Sequence, residues 1–308
     1  MNSSFDLKDR VAIVTGGARG IGRAVAETFV RAGAKVIVAD AGLGIDGSGA
    51  DPAVADEAAR TIGARAFARD IAEPDAAQAL VDLALSEYGA VDVVVNNAAI
   101  LRDAFIFKAK REDFEQVLQT NLTAAFALLA AATPAMREAV KQGRPAGRIV
   151  NIVSTAGLYG NFGQAAYASS KAALVGLTRV VAMDMARSGV LCNAVAPFAA
   201  TRVTESIQPA NEAQAQYKDR ALSVPAEYVA RVVGWLCAPG CTVTGQLFGV
   251  RGREVFLFSQ PRPVARIVVP ALEHLTPEAL DSQASVELGE HFTDLTTDLE
   301  AFNTEPLL

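Results

Sequence analysis

The sequence predicts an α/β protein: a doubly wound parallel sheet of seven strands with helices on both faces, followed by a C-terminal extension. Three observations predict it. Short β-branched runs alternate with helical segments from residue 11 to about residue 250, the pattern of a parallel sheet rather than of hairpins. The first run leads directly into a glycine cluster and then a helix, which makes a βαβ unit of the usual length. Thr15, Asp40, Asp70, Asn96, Asn97, Ser154 and Pro197 all fall where a run ends, so they collect along one edge of the sheet, where such folds bind ligands.

Residues 11–15, Val-Ala-Ile-Val-Thr, form the first strand, and residues 23–32 a helix that stops at Gly33. Residues 35–39 are the second strand, ending at Asp40. Between strand and helix stand Gly16, Arg19, Gly20, Ile21 and Gly22. Gly16 permits a tight turn, Gly20 lets the backbone approach a pyrophosphate, and Gly22 lets the helix lie close on the sheet. The helix N-terminus offers free N–H groups and a positive dipole end. Asp40, 18 residues past Gly22, can accept from both adenosine ribose hydroxyls and would repel a 2′-phosphate. This is a Rossmann-like dinucleotide fingerprint favouring NAD over NADP. Arg19 argues the other way, since a guanidinium there can bind that phosphate, but the strand-end position of Asp40 carries more weight.

The link at 42–49, Gly-Leu-Gly-Ile-Asp-Gly-Ser-Gly, reads as a flexible surface loop near the adenosine end. Helices are expected at 52–62 and 74–88, strands at 64–69 and 91–95. Residues 111–142 form a long helical stretch with a break expected near Pro134. The fifth strand is 148–153; a helix carrying Tyr167 runs to about 187; the sixth and seventh strands are 190–195 and 246–250, with a helix at 226–237 between them. The alternation then lapses. Residues 254–258 and 265–269 have the composition of short strands, and 274–308 is acidic and weakly periodic. The division expected is a catalytic domain at 1–252 and an extension at 253–308, folded over the body or reaching a neighbouring subunit.

Composition narrows the function. The chain has 308 residues, 51% of them apolar, and its long uncharged runs carry Gln, Asn, Ser, Thr or Gly, so no membrane span is expected. The first ten residues are polar, without a signal-peptide core, and the terminal Glu-Pro-Leu-Leu is not a peroxisomal-type address, so a cytoplasmic protein is expected. The net charge of −6 is concentrated after residue 258, where nine acids face two arginines, leaving no basic excess for nucleic acid. Three cysteines, Cys192, Cys237 and Cys241, suit a reducing compartment and, with no histidine near, make no metal site. Two helices are apolar over more than one face: the one through Val117, Leu122 and Phe126, and the one through Leu174, Val180 and Met183. A homodimer or homotetramer built on these helices is expected.

The chemistry centres on residues 154–171. Tyr167 and Lys171 are four apart and share a helix face, while Ser154 ends a buried strand. A tyrosine alone is a poor acid or base near neutral pH, but an ammonium beside it favours the phenolate. A serine facing the pair can complete a site around a carbonyl oxygen. A serine hydrolase is excluded by inventory, because His274 and His291 are the only histidines and both lie in the tail. A sugar epimerase or dehydratase would need a larger substrate domain than this tail offers, and a dinucleotide-binding sensor without catalysis would not need the Tyr/Lys pair.

Thr15-Gly-Gly-Ala-Arg-Gly-Ile-Gly22, Asn96-Asn-Ala-Ala99, Asn121, Ser154, Tyr167-Ala-Ser-Ser-Lys171 and Asn193-Ala-Val-Ala-Pro197 together resemble the short-chain dehydrogenase/reductase family over about residues 7–252. The resemblance implies that Tyr167 transfers the proton, Lys171 lowers its pKa and binds the nicotinamide ribose, Ser154 orients the substrate oxygen, and Asn121 holds a water linking Lys171 to solvent. It implies cofactor contacts from Asp70, Ile71, Asn97, Ala98, Ala99 and Pro197. Phe198 stands where many members have glycine, so Ala200 or Thr201 is the expected carboxamide contact. Residues 157–164 and 227–237 are also similar to the (3R)-hydroxyacyl-CoA dehydrogenase part of peroxisomal multifunctional enzyme type 2 and to bacterial stand-alone dehydrogenases. The implied reaction interconverts a secondary alcohol and a ketone, with Leu101, Tyr159, Phe162, Gln164 and Phe198 expected to line a largely apolar substrate pocket.

Overall fold

The structure, a computed structural model, describes residues 6–209 and 211–308. Part of the N-terminal stretch read above, residues 1–5, lies outside them. A single sheet organises the body, with strands β1 Val11–Thr15, β2 Lys35–Ala39, β3 Arg65–Phe67, β4 Val93–Asn96, β5 Arg148–Ile152, β6 Leu191–Phe198, β7 Leu247–Arg251 and β8 Glu254–Phe258. Their order is β3-β2-β1-β4-β5-β6-β7-β8. All neighbours are parallel except β7 and β8, which are antiparallel. The sheet therefore has eight strands, not the expected seven. Gly252, at φ +54, turns the chain so that 254–258 pairs back on β7. Residues 265–269 are not a strand.

The helices are α1 Gly20–Arg31, α2 Ala53–Ile62, α3 Ala76–Tyr88, α4 Arg111–Leu118, α5 Ala124–Lys141, α6 Ala156–Tyr159, α7 Ala165–Asp184, α8 Arg202–Ser206, α9 Glu212–Leu222, α10 Glu227–Cys237, α11 Pro277–Gln283 and α12 Asp298–Ala301. Successive strand residues serve opposite cores, as a period of two requires. Ala12 and Val14 join Val25, Phe29, Val233 and Leu236 beneath α1 and α10. Val11 and Ile13 join Leu80, Leu128, Met136 and Val181 beneath α3, α5 and α7. Burial on both faces explains why these strands are continuous apolar runs.

The long helix does not break at Pro134, which lies inside α5. The irregularity falls earlier, in a π-helical turn at Gln119–Thr123 between α4 and α5. Such a turn inserts one residue into the helix and re-aims a side chain, here that of Asn121. By length and composition the 31 residues Arg111–Lys141 could cross a membrane. Leu128, Leu129, Ala132 and Met136 instead bury one face of α5 in the sheet core.

Helices α6, α8 and α9 were not anticipated, although α8 and α9 carry local start signals. The Thr201 side chain accepts from Thr204 N at 3.3 Å and that of Asn211 from Gln214 N at 2.9 Å, each capping its helix. The chain separates into two compact units. One is the body through Phe258 together with Thr297–Leu308; the other is Ser259–Thr296. The first unit runs on to Phe258 because β8 belongs to the sheet. The smaller unit holds α11, opened by Thr276, whose hydroxyl accepts from Ala279 N at 3.2 Å, and by Pro277 in the first turn.

Candidate active site

One cleft runs along the carboxyl ends of the strands, across the point where β1 separates β2 from β4. Its first part is the glycine turn. Gly16 has φ +59, and a Cβ there would stand 2.9 Å from Ala98 Cα; Gly20 has φ +52, and a Cβ would meet nothing closer than 3.8 Å. The first glycine is required by contact with β4, the second by its left-handed backbone on the open side of the cleft. A Cβ on Gly22 would lie 2.1 Å from the Gly16 carbonyl, so that glycine lets α1 approach the turn and does not itself line the cleft. Arg19, at the N-cap of α1, makes no side-chain cap bond to the first turn. Those N–H groups are thus left for an anion, and the cradle fits a pyrophosphate.

Asn97 locks the turn. Its Nδ2 donates to the carbonyls of Thr15 and Gly16, both at 3.0 Å, and its own N–H donates to Thr15 Oγ1. Asp40 is held by the N–H groups of Ala18 at 3.1 Å and Gly42 at 2.8 Å, which aim its carboxylate along the cleft wall. Ile21, Asp70, Ile71, Ala98, Ala99, Pro197 and Thr201 line the same cleft, as expected. Ala200 does not; its N–H turns away to donate to the Val224 carbonyl at 2.8 Å.

The link at 42–49 is not a free surface loop. Gly44 and Gly47 close it on itself, Leu101 N donates to the Ile45 carbonyl at 2.8 Å, and Ile45 joins the apolar cluster of Leu101, Ala156 and Tyr167. Arg19 donates to the carbonyls of Gly42 and Leu43, and Arg202 donates to Leu43 as well. Leu43, Gly44 and Ile45 thereby become a wall of the cleft. The glycine content that suggested flexibility instead allows close approach: a Cβ on Gly42 would lie 2.0 Å from the Asp51 carbonyl oxygen.

Ser154, Tyr167 and Lys171 converge on the other half of the cleft. Ser154 follows β5, and its Oγ accepts from Ala156 N at 3.2 Å. Its hydroxyl also hydrogen-bonds Tyr167. Lys171 is buried, its Nζ 5.6 Å from the centre of the Tyr167 ring and donating to the Ile152 carbonyl at 2.8 Å. Burial pushes the Tyr167 phenol up to about 12, against the lowering that Ser154 exerts, and the carboxylates of Asp298 and Asp103 push it further up. Burial brings the Lys171 ammonium down to about 8. The causes acting on the phenol are burial, Ser154 and the two carboxylates, and burial sets the direction.

Asn121 lies just behind this group and does not line the main cleft. Its Oδ1 accepts from Ile100 N at 2.8 Å, and its Nδ2 donates to the Ile100 carbonyl at 3.0 Å and to Ser170 Oγ. The side-chain amide is spent on holding the segment after β4. Of the expected substrate residues, Gln164 and Phe198 line the cleft and Leu101, Tyr159 and Phe162 do not. Leu101 is buried behind Tyr167, the Tyr159 ring meets Phe302 edge-on, and Phe162 is 69% exposed. The apolar wall comes instead from Val203, Ile207, Tyr217, Ala221 and Leu299, and Thr155 and Asp298 line it too. Helix α8 with the residue after it, helix α9 and the returning C-terminus supply the apolar residues, and only the chain path brings them here.

A glycine cradle and a Ser/Tyr/Lys group within one cleft are the parts of a nicotinamide-dependent oxidoreductase. The family model described as short chain dehydrogenase matches residues 10–215. A short-chain type dehydrogenase/reductase of Mycobacterium tuberculosis is 39% identical over 254 residues, 81% of this chain and 84% of that protein. The 3-oxoacyl-[acyl-carrier-protein] reductase of Synechocystis is 38% identical, covering 81% of this chain and 98% of that one. Peroxisomal multifunctional enzyme type 2 of Mus musculus is 35% identical over 91% of this chain, which spans only 37% of that protein. The crystal structure of a short chain dehydrogenase from Mycobacterium avium superposes with a TM-score of 0.79 at 35% identity, covering 94% of this chain and 98% of that one. The chain belongs to the short-chain dehydrogenase/reductase family. It is an oxidoreductase acting on CH–OH groups of a small molecule, with NAD(P) as the hydride carrier.

Proposed function

We propose that this enzyme interconverts a secondary alcohol and a ketone with NAD(H) rather than NADP(H), on a 3-hydroxyacyl thioester or a similarly hydrophobic hydroxy compound. The observation that carries the reading is the continuity of the cleft, from the glycine cradle and Asp40 at one end to Ser154 and Tyr167 at the other. The nicotinamide supplies the hydride acceptor or donor. Tyr167 moves the proton of the substrate oxygen, Ser154 holds that oxygen and steadies charge developing on it, and Lys171 provides fixed positive charge behind the phenol.

For NAD, Asp40 presents a carboxylate where a 2′-phosphate would sit, and both arginines nearby are engaged by the Gly42 and Leu43 carbonyls. For an acyl substrate, the wall of Phe198, Val203, Ile207, Ala221 and Leu299 is apolar. One relative of similar length is by name a 3-oxoacyl-[acyl-carrier-protein] reductase. Self-association through α5 and α7 is supported by Phe126, Val180 and Met183, which are 56%, 49% and 65% exposed. A cytoplasmic location remains our proposal from composition.

The test is NADH consumption by the purified enzyme with 3-oxoacyl N-acetylcysteamine thioesters and with simple alkyl and aryl ketones. The thioesters should be turned over with kcat/KM at least about tenfold higher, the discrimination an extended apolar contact provides. Equal or better turnover of simple ketones would overturn the acyl assignment.

A further inference from the structure

The last twelve residues are tied to the substrate wall of the body. Arg220 donates to the Asn303 carbonyl at 2.9 Å, and Arg251 to that of Phe302 at 3.1 Å. Arg253 N donates to the Leu307 carbonyl at 2.7 Å. Leu299 is buried against Phe198, Tyr217 and Ala221. This anchoring places Asp298 in the cleft beside the residue that follows the catalytic serine: Thr155 Oγ1 donates to Asp298 Oδ2 at 2.9 Å.

Asp298 is 4% exposed, and its other oxygen, Oδ1, is buried with no hydrogen-bond donor. Tyr217, packed against Leu299, brings no positive charge. No cation contributes to holding the carboxylate; burial lifts it to about 6, so near pH 7 it is still mostly ionised. Its charge is felt at the phenol of Tyr167, which places it within electrostatic reach of the reacting carbon. A second carboxylate, Asp103, accepts from the cleft-lining Gln164 at 2.9 Å and acts on the phenol in the same sense. The nearby cation Lys171 is tied to the Ile152 carbonyl, and Arg251 to Glu254.

We propose that Asp298, helped by Asp103, is a specificity-determining residue that makes the substrate end of the cleft reject anions, so that the enzyme takes neutral esters, thioesters or amides of 3-oxo and 3-hydroxy acids and refuses the free acids. The proposal rests on the reading of Tyr167 as the site of carbonyl chemistry. A free acid carries its carboxylate two bonds from the reacting carbon, and in this cleft that charge meets in Asp298 a buried carboxylate with no ion pair of its own. A neutral ester or amide of the same skeleton meets no such repulsion, and an amide N–H can donate to a carboxylate oxygen.

The experiment compares methyl acetoacetate with acetoacetate, which share a carbon skeleton, using NADH and the full chain. The wild type should favour the ester by about a hundredfold in kcat/KM. Asp298→Asn should cut that ratio about tenfold or more, chiefly through a lower KM for the acid; a merely structural role would lower both rates and leave the ratio alone. Asp103→Asn should move it in the same direction by less. An unchanged ratio in Asp298→Asn, or a wild type that reduces both compounds equally, would overturn the proposal. Turnover of neither compound would count against the 3-oxoacyl reading of the substrate. Calorimetric binding of acetoacetamide and acetoacetate to the NADH-bound enzyme then still reads the selectivity, and it serves equally should the variant fold poorly. Tighter binding of the amide supports the proposal, and equal binding overturns it.

Discussion

Lys171 stands beside the Tyr167 ring: its Nζ lies 5.6 Å from the ring centre and is fixed by donating to the Ile152 carbonyl at 2.8 Å. The ammonium thus acts as a pinned charge near the ring face. With the phenol pushed up to about 12, oxidation of an alcohol should speed up as pH rises, because Tyr167 must act as the base. In Lys171→Met the rise in kcat/KM should shift upward by about one pH unit or more, and the rate at pH 7 should fall about a hundredfold. A pH–rate profile of both proteins checks this. An unshifted profile would leave Lys171 a purely structural or ribose-binding role.

Tyr167→Phe removes the hydroxyl we propose carries the proton and keeps the ring. Turnover should fall by about a thousandfold or more, while NADH affinity by titration changes less than about threefold. A large loss of affinity with modest loss of turnover would make the phenol a binding group instead.

Asp40 carries the cofactor preference we propose. Asp40→Ala removes a carboxylate held by Ala18 and Gly42 N–H groups, so the ratio of kcat/KM for NADH over NADPH should drop at least about tenfold. Measured ratios that stay the same would show the preference is set elsewhere.

Asp298 should leave a mark on stability as well as on specificity. Its carboxyl is raised from 3.8 to about 6, so the native state holds its proton more tightly than the unfolded chain. Stability from this group is greatest near pH 4 and is lost as pH rises through 6, by about 2–3 kcal/mol in order of magnitude. Asp298→Asn should therefore raise the melting temperature at pH 8 by several degrees and change it little at pH 4. A uniform shift at both pH values would refute the linkage.

Sedimentation should show a dimer or tetramer, and Phe126→Glu on the exposed side of α5 should dissociate it. A monomeric wild type would remove the argument from the exposed residues of α5 and α7.

The parallel sheet was legible because its inner strands are buried on both faces and so read as unbroken apolar runs, and the helices between them have their own period. The cofactor half of the site was legible for a related reason. Gly16, Gly20 and Asp40 belong to one continuous βαβ unit, and their spacing alone fixes their geometry. Tyr167 and Lys171 were legible because one helical turn separates them.

The substrate half was not. Tyr159 and Phe162 looked suitable by position between Ser154 and Tyr167, yet α6 turns one ring onto Phe302 and leaves the other in solvent. The loop at 42–49 has the composition of a linker, and only its contacts with Leu101, Arg19 and Arg202 reveal a wall. Asp298 is one of nine acids in an acidic tail and has no local signal at all. The sequence by itself determined the parallel strands, the glycine turn and the shared helix face of Tyr167 and Lys171, since these depend on periodicity and short spacing. Only the tertiary structure decided what the substrate meets, because that wall joins Phe198, Tyr217 and Asp298 across a hundred residues of chain, and no local pattern encodes such a contact.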